Sequence, residues 1–319
     1  MHPEIKTEIV TRCICGCEDA RPLLELKDYE YFTSDQSFTF VRCERCGLVR
    51  LSPRPLVSEF GKIYPREYSP FHFDKGDSIG YKARRIRDRL MVRGYLKGLP
   101  DSAKILDVGC GDGALVRSMR LFGPARLELA ACDINSAFVG NLQGLAIDTY
   151  PGDFLELDLP RAHYDMILCS HTLEHVPDPT AFVKRMAELL APGGQIVIQV
   201  PSPTGLNWWL HRSRYWSGYH VPRHFWLFKR AHLDILSDQV GLQVKWRRAL
   251  PAPGFWMQSL FVALRRTGLA RLAPLLDVNR RPTPLPALVG LVFFTLLDFL
   301  QVFVFRASDI LEVSLTHRR

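Results

Sequence analysis

Two spacings of apolar residues alternate between residues 101 and 249, and this alternation predicts an α/β fold. Segments with the length and apolar content of strands occur at residues 104–108, 127–133, 196–200 and 242–247. Runs with helical spacing lie between these strands, at residues 115–119, 179–190 and 229–240. Residues 310–315 alternate like one more strand, which is predicted to join the sheet last and antiparallel.

Prolines divide residues 51–78, and this stretch is predicted to be a linker or a lid. Its aromatic residues are expected to pack on another part of the chain; they are Tyr64, Tyr68, Phe71 and Phe73. The next segment, residues 81–99, is basic and places Ile86, Leu90 and Tyr95 on one face of a predicted helix.

Residues 285–305 form a long apolar stretch whose single charge is Asp298. The surrounding residues 241–319 hold 11 Lys and Arg against 4 Asp and Glu, in a chain of net charge +8. This combination favours contact with an anionic membrane surface over nucleic acid, which is not expected as a partner. The arginines expected on the lipid side are Arg265, Arg266, Arg271, Arg280 and Arg281.

The apolar stretch is long enough to cross a bilayer. A full crossing would, however, separate residues 310–315 from the sheet that they are predicted to join. We therefore expect an interfacial, re-entrant or subunit-buried helix, the last in a homodimer. A plain buried core helix is the alternative.

Composition limits the class of protein. The chain has 319 residues, of which 47% are apolar and 23% charged, and these average fractions exclude global disorder. Residues 1–10 contain no apolar leader, so a cytoplasmic, reducing location is expected. The eight cysteines are accordingly predicted to be thiols or metal ligands.

Two cysteine pairs near the N-terminus predict a structural zinc site. Cys13 and Cys15 are separated from Cys43 and Cys46 by 27 residues that resemble two short strands, near residues 22–26 and 38–42. Four thiolates are the tetrahedral ligand set of a zinc ribbon. Because the first pair is one residue closer than usual, Cys17 is an alternative ligand; reduced cysteines in a hairpin without metal are the other interpretation.

The apolar run at residues 104–108 leads into a glycine turn that predicts a nucleoside site. Gly109, Gly111 and Gly113 follow Asp107 and remove side chains, so the backbone can approach a ligand. The Asp107 carboxylate would repel a pyrophosphate but attract a cation. Asp133 ends the next strand, where its carboxylate can accept hydrogen bonds from ribose hydroxyls. The pattern favours S-adenosylmethionine, with a nicotinamide cofactor as the alternative.

Five motifs in order make residues 101–200 resemble the class I S-adenosylmethionine-dependent methyltransferases. They are ILDVGCGDG, CDIN, GDFLELDLP, YDMILCSHTLEHVPDP and APGGQIVIQVPS. The resemblance implies a Rossmann-like α/β fold, with a parallel sheet and a final antiparallel strand, preceded here by a small zinc ribbon. It also implies that Asp153 contacts the adenine amino group, that Phe154 lies on the adenine ring, and that Ser170 and His171 border the methionine part.

Five segments follow from these observations. They are a zinc-ribbon-like domain at 1–60, a linker and lid helix at 61–100, the cofactor-binding core at 101–249, a basic apolar insertion at 250–308 and the final strand at 309–319. The whole arrangement is similar to bacterial zinc-ribbon methyltransferases, which are often found among genes for sugars and cell-surface polysaccharides.

Histidines after the fourth strand are candidates for the base that a hydroxyl acceptor needs. His171, Glu174 and His175 stand at i, i+3 and i+4, on one side of a helical segment. In ubiquinone-type O-methyltransferases a similar segment holds a divalent metal, but there the first position is acidic. Hydrogen bonding within the loop is the structural alternative for Glu174 and His175.

A second candidate group lies among dense aromatic residues after the fifth strand. Its members are Arg212, Arg214, His220, Arg223 and His224. Aromatic faces can stack on sugars and arginine can bind a diphosphate, so this group predicts an acceptor pocket with His224 as its preferred residue. The alternative is that the aromatics only pack a lid over the core.

The sequence therefore predicts a methyltransferase acting on a hydroxyl of a sugar, a glycan or a lipid-linked cell-envelope intermediate. Its expected catalytic residues are His171, His175 and His224. A quinone or small-phenol O-methyltransferase is the first alternative, and a non-catalytic cofactor-binding scaffold is the second. The enzyme is expected in the cytoplasm or peripherally on the inner face of the membrane.

Overall fold

The structure of the chain, a computed structural model, describes residues 4–64, 79–278 and 283–318. Several sequence predictions fall outside these ranges. They concern Tyr68, Phe71 and Phe73 of the predicted lid, and Arg280 and Arg281 of the basic insertion.

The N-terminal region is a small antiparallel β-structure. Its elements are β1 (Thr7–Glu8), β2 (Ala20–Leu26), β3 (Phe38–Cys43), β4 (Val49–Leu51), β5 (Arg54–Pro55) and α1 (Phe60–Ile63). Strands β2, β3 and β4 pair in sequence, and β1 pairs with β5. The two strands predicted near residues 22–26 and 38–42 are therefore present as β2 and β3.

The central region alternates strands and helices, as its apolar spacing predicts. It comprises α2 (Ile79–Tyr95), β6 (Lys104–Val108), α3 (Ala114–Phe122), β7 (Glu128–Asp133), α4 (Ser136–Gly140), β8 (Asp148–Pro151), β9 (Tyr164–Ser170), α5 (Pro179–Leu189) and β10 (Leu190–Pro201). Asp178 caps α5, because its carboxylate accepts a hydrogen bond of 2.9 Å from the backbone N–H of Ala181.

The C-terminal region completes the sheet and adds the insertion. It comprises α6 (Leu206–His211), β11 (Trp226–Leu227), α7 (Arg230–Gln239), β12 (Leu242–Leu250), α8 (Pro253–Arg266), α9 (Leu285–Phe305) and β13 (Ile310–His317). Helices α8 and α9 lie between β12 and the last strand.

Seven strands form the main sheet, in the order β12-β13-β10-β9-β6-β7-β8. β13 runs antiparallel to both of its neighbours, whereas the other pairs in this sheet are parallel. The predicted Rossmann-like sheet with a final antiparallel strand is confirmed. After β6 the chain first builds one side of the sheet and then, from β9, the other. The carboxyl ends of β6 and β9 therefore border the crevice where such sheets bind ligands.

Apolar packing joins the N-terminal β-structure to the core. β11 pairs with β4, and the backbone N–H of Leu51 donates to the carbonyl of Phe225 at 2.9 Å. Phe38, Phe40 and Leu51 are almost completely buried in the same apolar cluster as the main sheet. Apolar packing therefore holds residues 4–64 against the core, which the cysteine spacing alone does not predict.

The prediction that Ile86, Leu90 and Tyr95 share one apolar face of α2 is wrong for the first two residues. Ile86 and Leu90 are each 63% exposed, whereas Val92 and Tyr95 are buried against the sheet. Tyr95 lies between two polar partners, Gln199 and Glu312, and these contacts fix the side of the helix that faces inward.

Helix α9 is long and apolar enough to span a bilayer, and only 11% of its most apolar 18-residue window is buried. Its one charged residue, Asp298, faces the protein and is fully buried. The Asp298 carboxylate accepts hydrogen bonds from the backbone N–H of Ala252 at 2.6 Å and from Trp256 Nε1 at 2.9 Å. The alternative of a buried core helix is therefore wrong, because most of the apolar surface of α9 is open.

Candidate active site

A glycine turn connects β6 to α3 at the carboxyl edge of the sheet. Gly109, Gly111 and Gly113 all have positive φ values, of 69°, 54° and 77°. A Cβ atom on Gly109 would lie 2.3 Å from Thr172 Oγ1, whereas a Cβ on Gly111 would meet no atom within 4 Å among the described residues. The turn is therefore closed by Thr172 at Gly109 and by Leu142 at Gly113, and it is open at Gly111 between them. Sequence reasoning did not single out Thr172, although it lies within the motif YDMILCSHTLEHVPDP.

Asp107 supplies a buried negative group below this turn. Its side chain is 2% exposed, and its Oδ2 atom has no hydrogen-bond partner within the described part of the chain. Burial, followed by the nearby carboxyls of Asp133 and Asp112, raises the pKa of Asp107 to about 7. A cationic ligand would provide the missing partner, so these residues fit the ammonium group of S-adenosylmethionine.

Asp133 stands at the end of β7, directly beside the turn. Its Oδ2 accepts from the backbone N–H of Gly111 at 2.9 Å, and its Oδ1 accepts from the N–H of Asn135 at 2.8 Å. These bonds hold the carboxylate in place, while burial raises its pKa. The next residue, Ile134, is 56% exposed and offers an apolar surface for a nucleobase. Sequence reasoning missed it, although an aliphatic residue after the acidic strand end was a signal.

The loop after β8 lies beside the carboxyl edge of the sheet. Of the two residues predicted to contact the adenine there, only one is accessible to a ligand. Asp153 is exposed, and its Oδ1 accepts from the N–H of Leu155 at 3.0 Å. Phe154 is 5% exposed and packs on Phe182, with ring centroids 4.7 Å apart. Asp153 can reach a ligand, whereas the Phe154 ring faces the core.

Ser170 and His171 end β9 next to the glycine turn. Ser170 Oγ donates to Gln199 Oε1 at 2.9 Å, and Gln199 Nε2 donates to the hydroxyl of Tyr95 at 2.5 Å. These bonds connect two strands to α2. His171 has φ 53°, a backbone conformation that costs energy for a residue with a side chain. Its N–H donates to the carbonyl of Gln199 at 2.9 Å, which holds this conformation.

The three predicted catalytic histidines meet at one carboxylate. Glu174 Oε1 lies 3.4 Å from His171 Nδ1, 3.9 Å from His175 Nε2 and 3.9 Å from His224 Nε2. The Glu174 side chain is completely buried, whereas that of His171 is 30% exposed. The structure thus brings together residues from two distant segments, and His171 is the member of the group most open to an acceptor.

Burial keeps two of these histidines neutral. It lowers the pKa of His175 to about 4 and the pKa of His224 well below its ordinary value. His224 Nδ1 donates to the carbonyl of Gly218 at 2.8 Å, and His175 Nδ1 lies 3.0 Å from the carbonyl of Arg223 and 2.9 Å from the Tyr64 hydroxyl.

The predicted acceptor pocket around Arg223 is mostly internal packing. Arg223 is fully buried; it donates to Asp28 Oδ2 at 2.8 Å and to the carbonyl of Ile63 at 2.7 Å. Burial alone would raise the pKa of Asp28, but the guanidinium outweighs it and holds the pKa at about 2. Trp216 and Trp226 are also buried. The prediction that Arg223 binds a substrate diphosphate is therefore wrong, since its guanidinium joins the N-terminal region to the core.

The four predicted cysteine ligands come together in the N-terminal region. Cys13 and Cys46 Sγ atoms are 3.5 Å apart, those of Cys15 and Cys43 are 3.6 Å apart, and all four lie within 4.8 Å of one another. Tetrahedral zinc–thiolate bonds would separate the sulfurs by about 3.8 Å, so the set fits Zn²⁺. Cys17 lies outside this group, with its Sγ directed to the carbonyl of Asp19.

The raised pKa of Asp107 predicts a pH-dependent cofactor affinity. A protonated Asp107 cannot pair with an ammonium group, so affinity for S-adenosylhomocysteine should fall by about tenfold per pH unit below about pH 7. Asp107→Asn should bind about 10- to 100-fold more weakly at pH 8 and lose this dependence. Calorimetric titration between pH 5.5 and 8 would measure both effects, with the exposed Asp148→Asn as the control. The same pH profile in Asp107→Asn and wild type would contradict the assignment.

Comparison with known proteins agrees with this geometry. Residues 79–245, more than half of the chain, match a family model described as a methyltransferase domain. Ubiquinone biosynthesis O-methyltransferases from Citrobacter koseri and Xanthomonas axonopodis pv. citri are 33% and 36% identical, over 44% and 33% of this chain. The matches cover 56% and 46% of those relatives, so the chain spans about half of their length.

A solved structure extends the likeness in fold. Phosphoethanolamine N-methyltransferase 2 of Haemonchus contortus, in complex with S-adenosyl-L-methionine, has a TM-score of 0.51 at 13% identity, covering 94% of this chain and 69% of that one. At this identity the match concerns the fold alone. The family match and the glycine turn with its acidic neighbours lead to one conclusion: the chain belongs to the methyltransferase domain family.

Proposed function

We propose that this methyltransferase transfers a methyl group to a hydroxyl of a small aromatic acceptor, of the quinone or phenol class. The observation that carries the proposal is the position of His171, partly exposed between the glycine turn and the ring of Phe255. The centroids of these two rings are 6.5 Å apart. An aromatic acceptor could pack on Phe255 with its hydroxyl at His171. The two O-methyltransferase relatives support the same class of acceptor.

The reaction requires a base at this position. S-adenosylmethionine supplies a methyl group bound to a positively charged sulfur. The acceptor oxygen forms a bond to the methyl carbon while the carbon–sulfur bond breaks, and the hydroxyl proton passes to the base. His171 can take this proton, and the Glu174 carboxylate, 3.4 Å from its Nδ1, stabilises the resulting imidazolium.

This proposal replaces the sugar or glycan acceptor that the sequence predicts. Part of its support came from the candidate group that contains Arg223 and from the aromatic residues around it, but Arg223 is engaged by Asp28 and the rings of Trp216 and Trp226 are buried. The exposed members of that region, Trp209 and Arg212, contact each other on the surface, with the guanidinium 5.8 Å from the ring centroid.

Replacing His171 with glutamine should lower kcat by roughly 100- to 10,000-fold, because the variant cannot take the hydroxyl proton. The affinity for S-adenosylhomocysteine should stay the same, because Asp107 and Asp133 are unchanged. The assay is transfer of labelled methyl from the cofactor to a panel of hydroxylated aromatic rings. His317→Gln, at an exposed position in β13, is the matched control.

The same labelled cofactor would test the acceptor class directly. Incubated with an envelope extract, the enzyme should label compounds that extract and absorb like hydroxylated aromatics. Label found in glycans, with none on phenols or quinones, would overturn the proposal and restore the sugar acceptor. Cofactor binding with no labelled product at all would favour the scaffold alternative.

A further inference from the structure

The loop between β2 and β3 has a fixed conformation at residues 28–33. The Asp28 carboxylate accepts hydrogen bonds from the backbone N–H groups of Glu30 at 3.2 Å, Tyr31 at 3.0 Å and Thr33 at 3.0 Å. A carboxylate that binds the N–H groups following it in sequence stabilises a turn. In this turn the Glu30 side chain lies inside the protein and is only 9% exposed.

The partner of Glu30 is His220, 190 residues later in the chain. The Glu30 carboxylate contacts His220 Nδ1, and the His220 side chain is 12% exposed. Because a carboxylate only accepts, Nδ1 donates this hydrogen bond. His220 has φ 37°, a left-handed conformation that is unfavourable for a residue with a side chain and persists only where the surroundings hold it. The contact with Glu30 contributes to holding it.

The backbone of His220 begins the turn that presents His224. Its carbonyl accepts hydrogen bonds from the N–H of Arg223 at 2.8 Å and from the N–H of His224 at 3.2 Å. The ring centroids of His220 and His224 are 4.8 Å apart. The next N–H, that of Phe225, donates to the backbone carbonyl of Glu174 at 2.7 Å. A movement of His220 would therefore reach both His224 and the backbone of Glu174.

A second pair fixes the other end of this turn. Arg223 pairs with Asp28, and both side chains are completely buried. Tyr31 packs between the two pairs: its ring centroid is 4.6 Å from the Arg223 guanidinium carbon and 5.8 Å from the centroid of the His220 ring. Two acidic residues of one N-terminal loop therefore hold both ends of the turn that contains His224.

We propose that Glu30 and His220 are positioning residues for methyl transfer. They hold His224 and the backbone of Glu174, so that the Glu174 carboxylate stays 3.4 Å from Nδ1 of His171. The proposal rests on the proposed function, because the pair acts through His171 as the base. It makes the reaction depend on the N-terminal β-structure, since Glu30 lies outside the residues 79–245 that match the methyltransferase family model.

Glu30→Ala should lower kcat by about 10- to 100-fold, because a displaced Glu174 carboxylate no longer stabilises the imidazolium of His171. KM for the acceptor and the affinity for S-adenosylhomocysteine should stay the same. Glu30→Gln keeps an oxygen that can accept from His220 Nδ1 and should recover most of this loss. Glu25→Ala, at an exposed position in β2, is the matched control. A folded Glu30→Ala with the kcat of the wild type, or with only KM changed, would overturn the proposal.

A double-variant cycle tests whether the two residues act as one pair. His220→Asn should fold, because asparagine tolerates the left-handed backbone, but it removes the ring that packs on His224. It should lose as much kcat as Glu30→Ala, and the double variant should lose no more than either single variant. Losses that add up in the double variant would contradict a shared role. His220→Asn also provides the test if Glu30→Ala does not fold.

Hydrogen exchange provides a measurement that needs no acceptor. In Glu30→Ala, the amide of Phe225 should exchange about tenfold faster or more, because its bond to the Glu174 carbonyl depends on the turn. Amides of β6 and β9 should exchange as in the wild type. Unchanged exchange at Phe225 would overturn the positioning role. Failure of the proposed function is separate: a wild-type chain that methylates no phenol refutes that function alone, and kcat is then compared on the acceptor that the enzyme does label.

Discussion

Replacing Cys43 or Cys46 with serine is expected to remove one zinc equivalent per chain and to loosen residues 4–64. The four sulfurs are already gathered within 4.8 Å, and burial would raise the pKa of Cys43, but the backbone N–H groups of Cys46 and Arg45 lower it to about 6. Burial raises the pKa values of Cys13 and Cys46 in the same cluster, and metal binding would deprotonate them. Structural zinc contributes about 10–16 kcal/mol in small zinc domains, so the loss should be large.

Metal analysis and hydrogen exchange of β2, β3 and β4 would measure this effect. Cys17→Ser is the matched control, since its sulfur lies outside the cluster. Full zinc occupancy in both Cys43→Ser and Cys46→Ser would contradict a zinc site at these cysteines. Part of the stability of the region will remain in either variant, because Phe38, Phe40 and Leu51 pack into the main core.

The loss of zinc should also reduce methyl transfer without weakening cofactor binding. The loop between β2 and β3 reaches the acceptor side, where Asp28 pairs with Arg223 and Glu30 pairs with His220. Loosening this loop disturbs the segment that carries His224. The glycine turn and Asp133 lie in the core, so the affinity for S-adenosylhomocysteine should be unchanged.

Mutating the exposed side of α9 should release the protein from anionic membranes. The intact chain is expected to float with anionic vesicles at low salt, and to bind less at high salt or to neutral vesicles. Burial of large apolar side chains and attraction of arginines, at about 1 kcal/mol each near the surface, act together. The apolar residues of α9 that are more than half exposed are Leu285, Val289, Val292, Phe293, Leu296, Phe299, Leu300, Phe303, Val304 and Phe305.

The triple variant Leu296→Ser, Phe299→Ser and Phe303→Ser tests this surface. Each side chain would contribute about 1.5 kcal/mol or more when fully buried in lipid, so binding should fall by roughly a thousandfold. These positions are exposed, and cofactor binding should be unaffected. Leu121→Ser, at a position 60% exposed in α3, is the control for loss of an apolar surface residue elsewhere.

A freely soluble wild-type chain with no affinity for vesicles would contradict the membrane surface. If such a chain is a dimer and the triple variant is a monomer, the exposed side of α9 is a subunit interface instead. Sedimentation of both proteins distinguishes these outcomes. Asp298 should not be replaced in this experiment, since its carboxylate joins α9 to Ala252 and Trp256.

The amino-acid sequence by itself determined the features that depend on near neighbours. The order of strands and helices follows from apolar spacing, and the turn with Gly109, Gly111 and Gly113 follows from the need for backbone without side chains. The cysteine pairs behave in the same way, because each pair is close in sequence and the hairpin of β2 and β3 brings the two pairs together. The cofactor and the fold class were therefore predictable.

Only the tertiary structure decided which side each helix presents and what each polar residue does. Apolar spacing places Ile86, Leu90 and Tyr95 on one face of α2. The polar partners of Tyr95 orient the helix so that Ile86 and Leu90 face solvent. Arg223 is a plausible phosphate ligand in sequence, yet it pairs with Asp28, 195 residues away. A shorter separation in sequence still hides the contact of His224 with Glu174 and His175, because packing of two segments, which no local pattern encodes, brings these side chains together.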